Sequence, residues 1–435
     1  MNAIISNNIQ INKPANPLGR TLFRLPAIVC YLVYAFAFSL SFEFWGALNV
    51  GSFTITKVVG LLLFGTILLY ARRILVSPSR SALALLIIWV WIAVTSTLNA
   101  DSNAELYEVF SGSIFTLLQC FVLYYIAQCI FRDQSTALNV LISFACGCVI
   151  IAMLTLLGFG LEIAGTEGGI DRETMFGANP NTFAFLEVLG IVIIVGIVVE
   201  NPCAFGKWRF LALATVPLLL KASFMTGSRG ALVSLALGLT PFFFTRNTAR
   251  LRVLIWLLLI GCGLLITFYV KNSDILMERM ERTIEKGNTA GRLELWQVAV
   301  ERIAEKPFSG WGFTGMIRCF NEVSDVSDPH NVFLTMFLLT GIFGGIFFLM
   351  LAARWIFQAL AARQTVWGCI PLALAVVVLS LFFKGGGAYS LKVAWLMLAC
   401  VAAMGDRRYS MIDWDRKPFV KATGEPEIMK RDKTF

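Results

Sequence analysis

NTFAFLEVLGIVIIVGIVV, residues 181–199, places a single ionisable side chain, Glu187, in a run long enough to cross a bilayer. A helix rises about 1.5 Å per residue and the hydrocarbon core is about 30 Å thick, so a crossing needs about 20 apolar residues. The same template fits eleven further stretches: 27–45, 54–71, 81–98, 109–131, 137–160, 208–224, 229–245, 251–270, 331–353, 366–383 and 388–405. Composition agrees, because 57% of the 435 residues are hydrophobic and only 14% are charged, where soluble domains carry about a quarter. The expected fold class is an all-α integral membrane protein with about 12 transmembrane helices.

Loop charge orients these spans. One set of alternate loops holds Arg72, Arg73 and Arg80, then Arg132, Lys207 and Arg209, Arg246, Arg250 and Arg252, and Arg354 and Arg363. The tail adds Arg407, Arg408, Arg416, Lys417 and Lys421. The opposite set begins with 46–53, which has no basic residue, and an acidic 99–108 with Asp101, Glu105 and Glu108. Basic loops face the cytoplasm, so both termini are expected inside. The net charge of +9 then needs no nucleic-acid partner. The expected organisation is a cytoplasmic tail 1–26, spans one to nine over 27–270, an outer loop 271–330, spans ten to twelve over 331–405, and a cytoplasmic tail 406–435.

No early apolar segment with a cleavage signature precedes the first span, which is expected to target the chain itself. Of the ten cysteines, eight lie in apolar runs, Cys203 in a basic loop and Cys319 alone in the long outer loop. They read as free thiols packed as small apolar residues. No internal repeat is visible, which weighs against the common transporter architectures.

Against this apolar background, Arg172, Arg229, Arg292 and the only histidine, His330, all fall on the outer face. Arg172 precedes Asn179-Pro180-Asn181, turn chemistry that opens a helix, and a salt bridge to Asp171 or Glu173 would satisfy it. Thr226-Gly227-Ser228-Arg229-Gly230-Ala231 permits close backbone approach, and a helix opening at Ser228 offers free N–H groups to an anion. Arg229 adds a planar fork suited to phosphate, although it also reads as a snorkelling interfacial arginine. In the 271–329 segment Leu293, Trp296, Val300 and Ile303 recur at helical spacing. They predict an amphipathic helix capped by Thr289 and stopped before Pro307, lying on the membrane or roofing a cavity.

Arg292 sits in that helix's first turn, against the dipole. Trp311 belongs to a glycine-aromatic turn over 307–313 suited to lipid or sugar, and Asp328-Pro329-His330-Asn331 stands at the mouth of span ten. A histidine titrates near about pH 6.5 and can accept a proton at neutral pH, or it is simply a satisfied interfacial residue. Lys221 and Lys384 lie near the same face and either supplement a cationic clamp or snorkel. No clustered metal-ligand pattern, GxSxG, Walker or dinucleotide motif is present, so no metal and no cofactor is expected.

In order, Arg172 with Gly177 to Asn181, Thr226 to Ala231, Arg292 with Trp296, Pro307 and Gly310 to Gly312, then His330-Asn331 with Gly341 and Gly344-Gly345, resemble the O-antigen ligase/polymerase family over roughly 165–345. The resemblance implies a GT-C-like, inner-membrane glycosyltransferase of Gram-negative bacteria with its active site facing the periplasm. It implies transfer of a glycan from undecaprenyl diphosphate to an acceptor hydroxyl, either on lipid A–core (a ligase) or on another carrier-linked unit (a polymerase of O-antigen or exopolysaccharide). It assigns Arg229 and Arg292, and more loosely Arg172, to the donor diphosphate, and His330 to acceptor deprotonation. It also implies metal-independent, inverting chemistry. A transporter of lipid-linked or anionic saccharide is the alternative from another class, kept open by Glu43, Lys57 and Glu187 within apolar runs.

Overall fold

The computed structural model describes residues 25–45, 54–163, 173–175, 177–245, 292–322 and 327–406, with scattered positions of one more helix between 253 and 271. The first helices are α1 (Ala27–Ser39), α2 (Ile55–Leu69), α3 (Arg80–Leu98), α4 (Asn103–Ile130) and α5 (Gln134–Leu156). After them come α6 (Pro180–Glu200), the pair α7 (Pro202–Ala214) and α8 (Val216–Met225) bent by 41°, and α9 (Arg229–Leu239). The last five are α10 (Arg292–Glu305), α11 (Gly312–Asn321), α12 (Val332–Ala362), α13 (Ile370–Lys384) and α14 (Lys392–Met404).

Many starts are fixed by short polar side chains. Thr54, Ser79, Ser102, Asp133, Asn179, Ser228 and Asn331 each accept a backbone N–H in the first turn of the helix that follows. Such caps satisfy donors the helix itself leaves open.

By length and composition, α3, α4, α5, α6 and α12 can cross a membrane, and the α7–α8 pair makes a sixth candidate. Helices at five other expected spans are apolar but only 10–17 residues long, so among the described residues length alone does not reach the expected twelve crossings. The expected span 251–270 lies largely outside those residues. A short antiparallel pair, β1 (Leu161–Ile163) with β2 (Glu173–Met175), departs from the all-helical expectation, with Leu161 opposite Met175. Every described cysteine is a free thiol.

The opening stretch becomes the centre of the molecule. From Phe183 to Val199 every residue of α6 is buried, which is why its sequence shows no polar stripe. Glycines let neighbours close in: a Cβ at Gly190 would stand 2.9 Å from Cys148 Cβ, and one at Gly196 would stand 2.9 Å from Ile370 Cγ1. Within this core Glu187 is buried and neither carboxyl oxygen has a hydrogen-bond partner among the described residues. Glu43 is paired with Lys392, and Lys57 is exposed at the start of α2.

α12 is broken at Gly341, whose backbone (φ 69°, ψ −171°) no helix tolerates. The 307–312 turn repairs the break. Ile342 N donates to Pro307 O (2.7 Å) and Trp311 N to Leu338 O (2.6 Å), while Thr95 Oγ1 donates to Leu339 O (2.8 Å). A Cβ at Gly310 would lie 2.6 Å from Gly341 N, so the two backbones meet only because both residues are glycine. Irregular backbone among apolar helices survives where protein covers it and satisfies its polar groups.

Candidate functional site

The starts of α6, α9 and α12 and the end of α13 converge at one end of the bundle. Asn179 caps α6, and Asn181 reaches sideways: Ser228 Oγ donates to its Oδ1 at 2.9 Å. Ser228 caps α9 in turn, and Gly227 (φ 62°) makes the turn before it. Arg229, half-buried, is the first residue of α9.

Beside it, Gly230 faces Lys384: a Cβ there would stand 3.6 Å from Lys384 Cδ. Lys384 ends α13, one residue past the apolar run 366–383. Its ammonium is buried without a hydrogen-bond partner among the described residues. Burial, and then the charge of Arg292, push its pKa down from 10.5 to about 8. Arg292, Lys384, Ser228, Asn181 and Ser380 line a cavity of about 20 Å³. That is room for about one ordered water, so the cluster is a wall of donors and not a deep pocket. Two cations meeting in a half-buried seam each disfavour the other's charge.

Arg292 is brought there by α10. Trp296, one turn on, donates its indole N–H to Pro329 O (3.1 Å) and stacks edge-on against Phe383 at 5.3 Å between ring centroids. That indole ties the first turn of α10 both to the His330 loop and to the end of α13. The apolar stripe of α10 is divided: Trp296 and Ile303 are half-buried, whereas Leu293 and Val300 are 55% and 58% exposed. Leu295 and Ala299 are buried (8% and 0% exposed). The helix turns Leu295, Trp296 and Ala299 toward the bundle and Leu293 and Val300 outward. Thr289, the expected cap, lies outside the described residues.

His330 follows in a tight turn with φ 53°, the only positive value at a non-glycine among the described residues. Asp328, 6% exposed, holds this geometry. Its Oδ1 accepts the His330 backbone N–H (2.7 Å) and lies 2.9 Å from Nδ1, and its Oδ2 accepts the Gly387 N–H (2.7 Å). With Nδ1 donating to the carboxylate, Nε2 keeps its lone pair and can take a proton. The ring rests on Gly386, where a Cβ would collide with the imidazole. The arrangement is an oriented base next to a cationic wall, both hung on residues 383–387.

Other expected residues take supporting places. Asn331 spends its Oδ1 capping α12, accepting from Phe333 N (3.0 Å) and Leu334 N (3.2 Å). Trp311 is held within the 307–312 turn, its indole donating to Arg302 O (2.7 Å) under the Lys306 ammonium. Lys221 is exposed on α8 and is not among the residues lining the cavity. Arg172 lies outside the described residues. Among the described residues no three His, Cys, Asp or Glu side chains gather as a ligand set. The sequence reading missed the seat for His330, Gly385-Gly386-Gly387. Its signal was present, since this is the chain's only run of three glycines.

Residues 214–349 match the family model described as O-Antigen ligase. That segment contains Ser228, Arg229, Arg292 and His330, and the resemblance to the O-antigen ligase/polymerase family stands on it. No curated protein matched the sequence. A chain from the solved structure "Structural coordination of polymerization and crosslinking by a peptidoglycan synthase complex" aligns at 14% identity over 78% of this chain and 100% of that one, with a TM-score of 0.44. A likeness so distant defines neither fold nor activity. Residues 214–349 are thus similar to an O-antigen ligase segment, within a chain that has several helices long and apolar enough to cross a membrane.

Proposed function

We propose that this chain, which carries the O-antigen ligase family's segment over residues 214–349, is an inner-membrane glycosyltransferase acting at the periplasmic surface. It moves a glycan from undecaprenyl diphosphate to an acceptor hydroxyl, with lipid A–core as the acceptor. The observation that carries the reading is the meeting of Arg292 with the buried Lys384 ammonium, which has no hydrogen-bond partner among the described residues, beside the start of α9 and on the 383–387 segment that seats the Asp328–His330 pair.

In this reading the bond between the anomeric carbon and the diphosphate oxygen breaks as a bond to the acceptor oxygen forms. Charge grows on the leaving diphosphate, and Arg229, Arg292 and Lys384 stabilise it with fixed positive groups in a site of low dielectric. His330 Nε2 takes the acceptor's proton, and Asp328 stabilises the imidazolium that results. Base and leaving group act on opposite faces of the sugar, so the anomeric centre inverts. Exposed Leu293 and Val300 on α10 suit a helix resting on lipid, close to a carrier that stays in the bilayer.

The test is lipopolysaccharide from a strain lacking this chain. Bare core with accumulated carrier-linked polymer is the expected result. Core bearing a single repeat would assign the same chemistry to a polymerase, and unchanged polysaccharide would overturn the reading.

A further inference from the structure

A cavity of about 930 Å³ lies at the opposite end of the bundle, where α3 begins, α4 ends and the last turns of α12 and α14 meet. Arg80, Arg132 and Arg354, from three separate segments, line it together with Gln128, Gln358 and Asp406. Basic loops at this end follow from the positive-inside rule. A large cavity between helices with three guanidinium groups converging on it does not.

The surroundings narrow the ligand. Arg80 is the first residue of the 19-residue α3, behind its Ser79 cap, where the helix dipole disfavours a cation and favours an anion. Beyond its break at Gly341, α12 continues past the apolar run 331–353 to Ala362, into the basic stretch that loop charge places at the bilayer surface. Its final turns therefore stand at the depth of lipid phosphates. There Arg354 and Gln358 share the cavity wall with Met350 and Phe357, which are 61% and 70% exposed. Gln358 Oε1 is buried with no hydrogen-bond partner among the described residues. The inner wall is held fixed: Tyr125 donates to Val76 O (2.6 Å) and Ser79 to Gln128 Oε1 (2.7 Å).

Phosphate suits the arginines, a hydroxyl suits Gln358, and acyl chains suit Met350 and Phe357. We propose that this cavity binds an anionic glycerophospholipid with a hydroxylated head group, of the phosphatidylglycerol kind, from the leaflet that loop charge assigns to the cytoplasm. The inference does not depend on the transfer reading, because no residue of this cavity belongs to the site at the other end.

The test uses the full chain in nanodiscs of phosphatidylcholine with or without phosphatidylglycerol, read by native mass spectrometry and thermal unfolding. Wild-type protein is expected to retain phosphatidylglycerol and to gain thermal stability from it. Arg132→Gln with Arg354→Gln is expected to weaken retention about tenfold or more for each arginine removed, while unfolding in pure phosphatidylcholine matches wild type. Arg80→Gln, at the exposed rim, gives the same readout if the double variant does not fold. Undiminished retention by these variants, or equal stabilisation by free glycerol phosphate, overturns the proposal.

Discussion

At Lys384, burial and the neighbouring Arg292 charge both oppose protonation, and they bring the ammonium down to about pKa 8. Its charge is thus present below about pH 8 and lost above it. A bound diphosphate stabilises the charged form, so donor KM is expected to rise as pH passes about 8, and Lys384→Arg is expected to flatten that rise. Steady-state kinetics across pH check both. For His330→Ala the expected outcome is a fall in kcat of about 10²- to 10⁴-fold with donor binding retained. Asp328→Asn is expected to lower kcat in the same direction, because an amide offers one acceptor oxygen where Nδ1 and Gly387 N use two, and it carries no charge to stabilise the imidazolium. These residues were legible because a charge or an imidazole between apolar runs stands out. The role of Asn331 and Trp311 was not, since a cap and an indole bracket look identical to ligand-binding side chains until their partners are known.

Among the elements, α12 and the 307–312 turn depend on each other. Gly310→Ala or Gly341→Ala would force a Cβ into the facing backbone at 2.6 Å and strain a positive φ. Each is expected to cost about 1–3 kcal/mol, read as a lowered unfolding temperature in detergent, and to reduce transfer by shifting the loop that leads to His330. Ser228→Ala removes the cap of α9 and the bond to Asn181, for an expected loss of about 1 kcal/mol. The helices themselves were readable from apolar run length and from caps such as Ser79 and Asn179. The break at Gly341 was not, because a glycine in an apolar run is common and its strain arises from a turn thirty residues earlier. Which face of α10 meets the bundle is left open by the sequence for a related reason. Periodicity finds an apolar stripe but does not say which side meets protein and which meets lipid.

Over the whole molecule, most of the rare charges separate to the two ends, and α12 runs from the His330 turn at one end to the Arg354 cavity at the other. That distribution favours surface chemistry over transport, which would place exchangeable charge near the midplane. Glu43 is already paired with Lys392, and only Glu187 stands deep and unpartnered among the described residues. The most direct measurement of the central claim is binding of undecaprenyl diphosphate to the purified full chain, compared with undecaprenyl monophosphate. Wild-type protein should prefer the diphosphate, and Arg292→Ala with Lys384→Ala should lose that preference by about a hundredfold while remaining inserted. Equal affinity of wild type for both lipids, or an unchanged preference in the double variant, would contradict the account.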